Sequence, residues 1–393
     1  MNRKAQIKFL SYCIGLIEDI KPPTSFKELT EKDWSKILIK ANQHSILPLL
    51  YHHFSQNKKG INPPIDVLER LKQSYLRNFL RNTKIYYELT KIVNKANDNN
   101  IPIIVLKGAA LAGSLYPSIT LRPMKDLDLF VKIEDIPKIH DLLVLLGWIN
   151  KHSDMTIEHQ MQIDHSLYYI KSGLQIDLHF RVPELSPLNL WDNATSATIG
   201  SIEMIVQKPE ILLIFLCNHL YRHACLGLAE LIRFYDIVLV LRKYRESINW
   251  DYLIQCVYIN QCENIIFHIL EIINSEFGED IPLSVLDKLK STKYTIQVRK
   301  SLYKPLPEII YRLQPIKKIV FAIYLHWMDP EKYTIGNIFK SIFESIFPSK
   351  KFIIKRYSPK RSWLFFVYYP TYFANGIKNF FSILFKLIFN RRS

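Results

Sequence analysis

Cysteine is scarce in this chain, and its five copies show no pairing pattern. Cys13, Cys217, Cys225, Cys256 and Cys262 contain no CxxC pair and no even framework. That excludes a disulfide scaffold and sets the expectation of buried thiols in a reducing cytoplasm. No run of about 18 uninterrupted apolar residues occurs, so no membrane-spanning helix is expected. No internal repeat is visible. A signal peptide is imitated by Arg3, Lys4 and Lys8 ahead of Phe9 to Ile17. However, Glu18-Asp19 follow at once and a small-x-small cleavage site is missing. Ile7, Leu10, Cys13, Ile14 and Ile17 fall at helical spacing instead, which predicts an amphipathic helix over residues 4–20.

Acidic residues are nearly missing from one region. Residues 311–393 hold 15 Lys and Arg against 3 acids, a net of +12 out of the formal +16. The preceding 310 residues, with 37 basic and 33 acidic groups, carry only +4. The reading for the C-terminal region is an anionic partner: a membrane surface, nucleic acid or another polyanion. The alternative is a Lys and Ile bias of the whole chain. The last residues, 376–392, form an apolar, aromatic helical pattern with a narrow polar stripe at Lys378, Ser382, Lys386 and Asn390. Such a helix is buried in the protein, buried in a partner, or seated in a membrane interface.

What is present is a long globular chain. Its 393 residues, 48% hydrophobic and 22% charged, exclude a disordered protein and allow two or three domains. Helical periodicity dominates residues 4–95, with Pro22-Pro23 as a break, Thr30 as a cap and Pro48 as an interruption. Residues 103–106 read as a buried strand, 108–115 as a short helix, 126–131 as a strand, 134–146 as a helix and 148–151 as a strand. Residues 166–170 and 174–180 read as two strands joined at Lys171-Ser172-Gly173, a hairpin signal. From Lys208 onward the pattern is helical again, with helices expected over 211–225, 228–244, 250–262 and 265–276. The expectation is an α+β fold with a small mixed sheet. Its divisions would be 1–98 helical, 99–205 core, 206–300 helical and 301–393 basic and aromatic.

The chemistry lies in that core. Asp126 and Asp128 are two residues apart on a strand, so they share a face. A third carboxylate, Asp177, comes from the second strand of the hairpin. Three carboxylates on neighbouring strands suit hard divalent cations, Mg²⁺ above all, with Mn²⁺ as the alternative. Cations of that kind serve phosphoryl and nucleotidyl transfer. Gly108 opens a helix after a tight turn, where free N–H groups face a phosphate, and Lys107 could reach the same phosphates. Arg122 could clamp a phosphate with two hydrogen bonds, or pair with Asp126 or Asp128. His179 shares a strand face with Asp177 and could orient it or the acceptor, or be a core histidine. Cys217, His219, His223 and Cys225 do not converge as zinc ligands on one helix. The two histidines lie about 40° apart, but the thiols point elsewhere.

These residues resemble a family. Tyr87-Glu88-Leu89, Ile101-Pro102-Ile103, the run Leu106 to Leu111, Tyr116, Arg122 to Asp128, and Ile176-Asp177-Leu178-His179 are similar to the bacterial, largely uncharacterised nucleotidyltransferase family of the polymerase-beta superfamily. Asp33-Trp34, Ala41, His44, His219, His223 and Asp236 also fit it. The resemblance covers roughly residues 25–260. It implies a polymerase-beta-type core and metal-dependent transfer of a nucleotide from a nucleoside triphosphate. The superfamily's usual Gly-Ser is replaced by Lys107-Gly108, and 18 positions separate Gly108 from Asp126. In this reading Asp126 and Asp128 hold the metal that carries the triphosphate. With Asp177 they share a second metal, and Asp177 takes the acceptor's proton. Lys107, Gly108, Arg122 and His179 would bind the nucleotide. The acceptor stays open between protein, RNA end, small molecule and glycan precursor. The rivals are a non-catalytic binding or regulatory module and a membrane-surface scaffold. The expected location is cytoplasmic, or peripheral at the inner membrane face.

Overall fold

The computed structural model describes residues 3–17, 29–56, 61–199, 202–225 and 229–290, with Phe366 and Pro370. The chain divides into two units, Met1–Tyr221 with Ala229–Lys293, and Arg222–Leu228 with Tyr294–Ser393. Most of the second unit, including the basic region and the helix expected over 376–392, lies outside the described residues.

Four helices open the first unit: α1 (Arg3–Cys13), α2 (Glu31–Gln43), α3 (Leu47–Ser55) and α4 (Ile65–Asp98). Thr30 caps α2 as its sequence predicts. Its hydroxyl accepts from Asp33 N–H, and Asp33 returns a carboxylate oxygen to Thr30 N–H, a reciprocal capping box. Trp34, Ile37, Leu38 and Ala41 then form the buried stripe of α2. Pro48 does not interrupt a helix. It sits in the first turn of α3, where its missing N–H has no helical partner to lose. α4 is 34 residues long, about 50 Å.

A seven-stranded sheet follows, with β1 (Ile104–Val105), α5 (Lys107–Ser114), β2 (Leu127–Phe130), α6 (Ile136–Leu145), β3 (Ile149–Asn150), α7 (Ile157–Ile163), β4 (Ser166–Lys171), β5 (Leu174–His179), β6 (Ala194–Ile199) and β7 (Ile202–Gln207). The spatial order is β3-β4-β5-β2-β1-β7-β6. Pairs β2–β5 and β1–β7 are parallel and the others antiparallel, so the sheet is mixed as expected. The β4–β5 hairpin turns at Ser172 (φ 47°) and Gly173 (φ 78°). Two consecutive left-handed residues match the twist of a tight hairpin. The β6–β7 hairpin escapes the sequence pattern. Its first strand reads Ala-Thr-Ser-Ala-Thr-Ile, half exposed at the sheet edge, with little apolar alternation to reveal it.

The core packs Ile85, Leu89 and Ile92 of α4 and Ile139 and Leu143 of α6 with Leu127, Leu129, Ile176 and Leu178 of the central strands. Five more helices follow: α8 (Pro209–Cys225), whose residues to Tyr221 belong to the first unit, α9 (Leu231–Tyr244), α10 (Trp250–Ile259), α11 (Glu263–Phe277) and α12 (Leu283–Leu289). Cys13, Cys217, Cys256 and Cys262 are buried and in no disulfide among the described residues. Among the described residues no helix is long and apolar enough to cross a membrane.

Candidate active site

The parallel pairing of β2 and β5 builds the site. Asp128 stands opposite Asp177, and Phe130 opposite His179. The ladder continues on both sides: Leu106 N–H donates to Asp128 O at 3.0 Å and Val131 N–H to His179 O at 3.0 Å. This register turns Asp128, Asp177 and His179 to one place. One ligand atom from each lies within 4.8 Å of the others, a group able to hold a metal ion. His179 Nε2 is 3.2 Å from Asp128 Oδ1 and 3.5 Å from Asp177 Oδ2. His165 stacks on the His179 ring at 5.9 Å.

Asp126 occupies the bend just before β2 and is not one of the three converging residues. It still shares their field. Burial raises its pKa first, and the charge of Asp128 raises it further. Asp128 shows the opposite balance. Burial opposes its charge, but Lys107 and His179 outweigh burial and hold its pKa at about 2.

Lys107 reaches the site because its backbone is left-handed, φ 40°, at the turn from β1 into α5. That conformation costs a non-glycine residue about 1 kcal/mol or more and is retained where surrounding structure enforces it. Its Nζ lies 3.1 Å from Asp128 Oδ1 and 5.2 Å from the centre of the Phe215 ring.

This geometry of carboxylates and lysine falls inside residues 30–278, which match the sequence model of the uncharacterised nucleotidyltransferase family. The chain belongs to that family. It is a nucleotidyltransferase with a mixed α and β fold. Similar solved structures include the antibiotic-resistance factor ANT(2'')-Ia in solution, 12% identical, covering 47% of this chain and 94% of that one at a TM-score of 0.34. The crystal structure of ANT(2'')-Ia in complex with adenylyl-2''-tobramycin is 13% identical, covering 47% and 99% at 0.34. An antigenic nucleotidyltransferase-like protein from Paracoccidioides brasiliensis is 15% identical, covering 51% and 94% at 0.32. No curated protein matches the sequence.

The remaining residues singled out in this nucleotidyltransferase have definite partners. Arg122 pairs neither with Asp126 nor with Asp128. Its Nε and Nη2 donate to the two oxygens of Asp236 on α9, each at 2.8 Å, and Tyr116 donates to the same carboxylate at 2.6 Å. All three side chains are buried. A side chain on Gly108 would place its Cβ 3.0 Å from Arg122 Nη1 and 3.2 Å from Met124 Cγ. Close packing against that arginine is therefore one reason for glycine here. His219 accepts from Arg233 Nη1 at 2.7 Å, and Arg233 also pairs with Glu230 at 2.8 Å. The Cys225 side chain lies outside the described residues, and burial pushes the Cys217 thiol well up. Cys217 is not part of the candidate metal group found among the described residues.

Sequence reasoning missed three positioning residues. Asn82, fully buried on α4, donates to the carbonyls of Ile119 (2.5 Å) and Arg122 (2.8 Å). Asn78 donates to Thr120 O. Arg81 donates to Met124 O at 2.8 Å and Lys125 O at 2.6 Å. α4 thus holds the whole segment that delivers Asp126 and Asp128. The available signal was polar residues on the buried face of a long amphipathic helix.

Proposed function

We propose that the chain transfers a nucleoside monophosphate from a nucleoside triphosphate to an acceptor hydroxyl, with a divalent cation, Mg²⁺ or Mn²⁺, at Asp128 and Asp177 and with Asp126 beside them. One observation carries this reading. Asp177 Oδ1 and His179 Nδ1 are buried without a hydrogen-bond partner among the described residues, in a group whose oxygen and nitrogen atoms converge. Buried polar atoms are ordinarily satisfied, and an unpaired carboxylate oxygen asks for a cation or a proton. Two carboxylates suit Mg²⁺ or Mn²⁺, and an imidazole among them leans towards Mn²⁺.

When bound, the cation supplies charge to the phosphates and lowers the pKa of the attacking hydroxyl. The acceptor oxygen then forms a bond to the α-phosphorus. The bond to the β-phosphate oxygen breaks, and pyrophosphate leaves. In this reading Asp177 receives the hydroxyl proton at Oδ1, and His179 Nε2 fixes the orientation of both carboxylates. Lys107 neutralises Asp128 in the free enzyme and turns its ammonium to the triphosphate. Gly108 opens α5 with an N–H available to the same phosphates. Arg122, held by Asp236, braces Gly108 and contributes positive charge behind them.

For the C-terminal region we propose attraction to an anionic surface, on the strength of its +12 net charge. Incubation with each α-labelled nucleoside triphosphate, Mg²⁺ or Mn²⁺, and fractions of protein, RNA and small metabolites tests the central reading. Label moving to an acceptor supports it. No transfer with any triphosphate and either ion overturns it.

A further inference from the structure

A cleft of about 220 Å³ opens between α2, α3 and α4 and the segment ahead of Asp126. Its wall includes Asn42, Ser45, Ser74, Arg77, Arg81 and Pro123, and no acidic residue. Arg77 is exposed and makes no hydrogen bond or ion pair to any described residue. Arg81 is held in place by the carbonyls of Met124 and Lys125 through Nε and Nη2. Its charge is thus held in a fixed position, with no counter-ion among the described residues. Glu230 accepts from Ser45 at 2.9 Å, but its charge is already paired with Arg233 at 2.8 Å. Ser45 itself is left-handed, φ 58°. The cleft is therefore concave and positive, and it is furnished with amide and hydroxyl groups.

The cleft and the carboxylates share one short piece of chain. Pro123 forms part of the wall, Arg81 holds residues 124 and 125, and Asp126 comes next. Three residues span at most about 11 Å. The Pro123 wall of the cleft and Asp126 are therefore close neighbours along the chain, within about 11 Å at most.

We propose that this cleft binds a phosphate group of the acceptor and so selects phosphate-bearing acceptors. The inference rests on the transfer reading of Asp128 and Asp177. The triphosphate is not the occupant, since its α-phosphorus must lie at the carboxylates while Lys107 takes the remaining charge. The exposed Arg77 offers a planar fork suited to a phosphate, the anchored Arg81 adds fixed positive charge, and access to water leaves the group replaceable by an entering substrate.

Calorimetry with inorganic phosphate tests the site directly. Wild-type protein saturated with a non-hydrolysable triphosphate analogue and Mg²⁺ should still bind inorganic phosphate. Arg77→Gln should weaken phosphate binding at least 10-fold and leave the analogue's affinity unchanged. Arg77→Glu should abolish phosphate binding. Equal phosphate affinity in wild type and both variants overturns the proposal, as does complete competition between phosphate and the analogue. The acceptor's source is separated by label transfer to sugar phosphates against label transfer to short RNA. In either arm Arg77→Gln should raise KM for the acceptor at least 10-fold with kcat little changed, and an unchanged KM overturns the proposal. Failure of the transfer reading looks different: the analogue would not bind, or no label would move, while the phosphate titration still gives its own answer.

Discussion

Asp128 keeps its charge in a buried position because Lys107 and His179 face it. Replacing it therefore does two things. Asp128→Asn removes a cation ligand and leaves Lys107 buried beside a neutral amide, which costs about 3 kcal/mol of stability. Asp177→Asn is the cleaner probe, since Asp177 Oδ1 has no partner to lose. Its melting temperature should stay within about 2 °C of wild type, while transfer falls at least 100-fold. Undiminished transfer of α-labelled nucleotide in both variants would sink the site. His268 on α11 offers a test of a different kind. Neither ring nitrogen has a hydrogen-bond partner among the described residues, and burial pulls its pKa down to about 4. The folded protein keeps this histidine neutral while the unfolded chain protonates it near its ordinary value of about 6.5. Below that pH the unfolded state binds the extra proton, so stability falls as pH drops from 6.5 towards 4. The loss is on the order of 2 kcal/mol after screening. His268→Leu should remove most of that acid sensitivity in denaturant titrations at pH 7 and pH 4.5. An unchanged pH dependence would refute it. At this scale the convergence of Asp128, Asp177 and His179 with Lys107 was legible, because their types and spacing are unusual on apolar strands, whereas Asp126 stands outside that group. Arg81, Asn82 and Arg233 were not, because arginine and asparagine on helices are ordinary until tertiary contacts give them partners.

At the scale of elements, α4 is the frame on which the loop into β2 is built. Three of its side chains occupy backbone carbonyls from Ile119 to Lys125, so the loop borrows order from a helix about 40 residues earlier. Asn82→Leu keeps the volume and strands the carbonyls of Ile119 and Arg122. It should destabilise the protein by about 2–3 kcal/mol, measured by urea denaturation. It should also lower transfer in excess of the unfolded fraction, because the segment bearing Asp126 loses its hold. Wild-type stability in this variant would show that the loop positions itself. Long periodic helices and the β4–β5 hairpin could be read in advance, because periodicity and turn chemistry are local. The β6–β7 hairpin and α7 could not. One is a half-exposed edge, and the other is a single short turn-rich stretch whose order comes from its neighbours.

At the scale of the whole molecule, charge is separated along the chain, with +12 of +16 in residues 311–393. Each basic residue near an anionic membrane contributes about 1 kcal/mol of attraction. Burial of Phe380, Phe381, Leu384, Phe385, Ile388 and Phe389 would add an apolar part that salt does not screen. Full-length protein should co-sediment with anionic vesicles, and a chain ending at Ala374 should do so far less. Equal co-sedimentation would refute a membrane role for residues 376–392, and binding to nucleic acid alone would weaken steeply with salt. The parallel alignment of β2 with β5 has one more consequence. Side chains alternate along a strand, so sliding β5 by a single position would put Leu178 where Asp177 belongs and turn Asp177 and His179 away from Asp128. Catalytic competence in this protein is then a whole-number property. A refolding chain would show native helix content well before any active fraction, and that fraction would grow in number of correctly threaded molecules, not in activity per molecule.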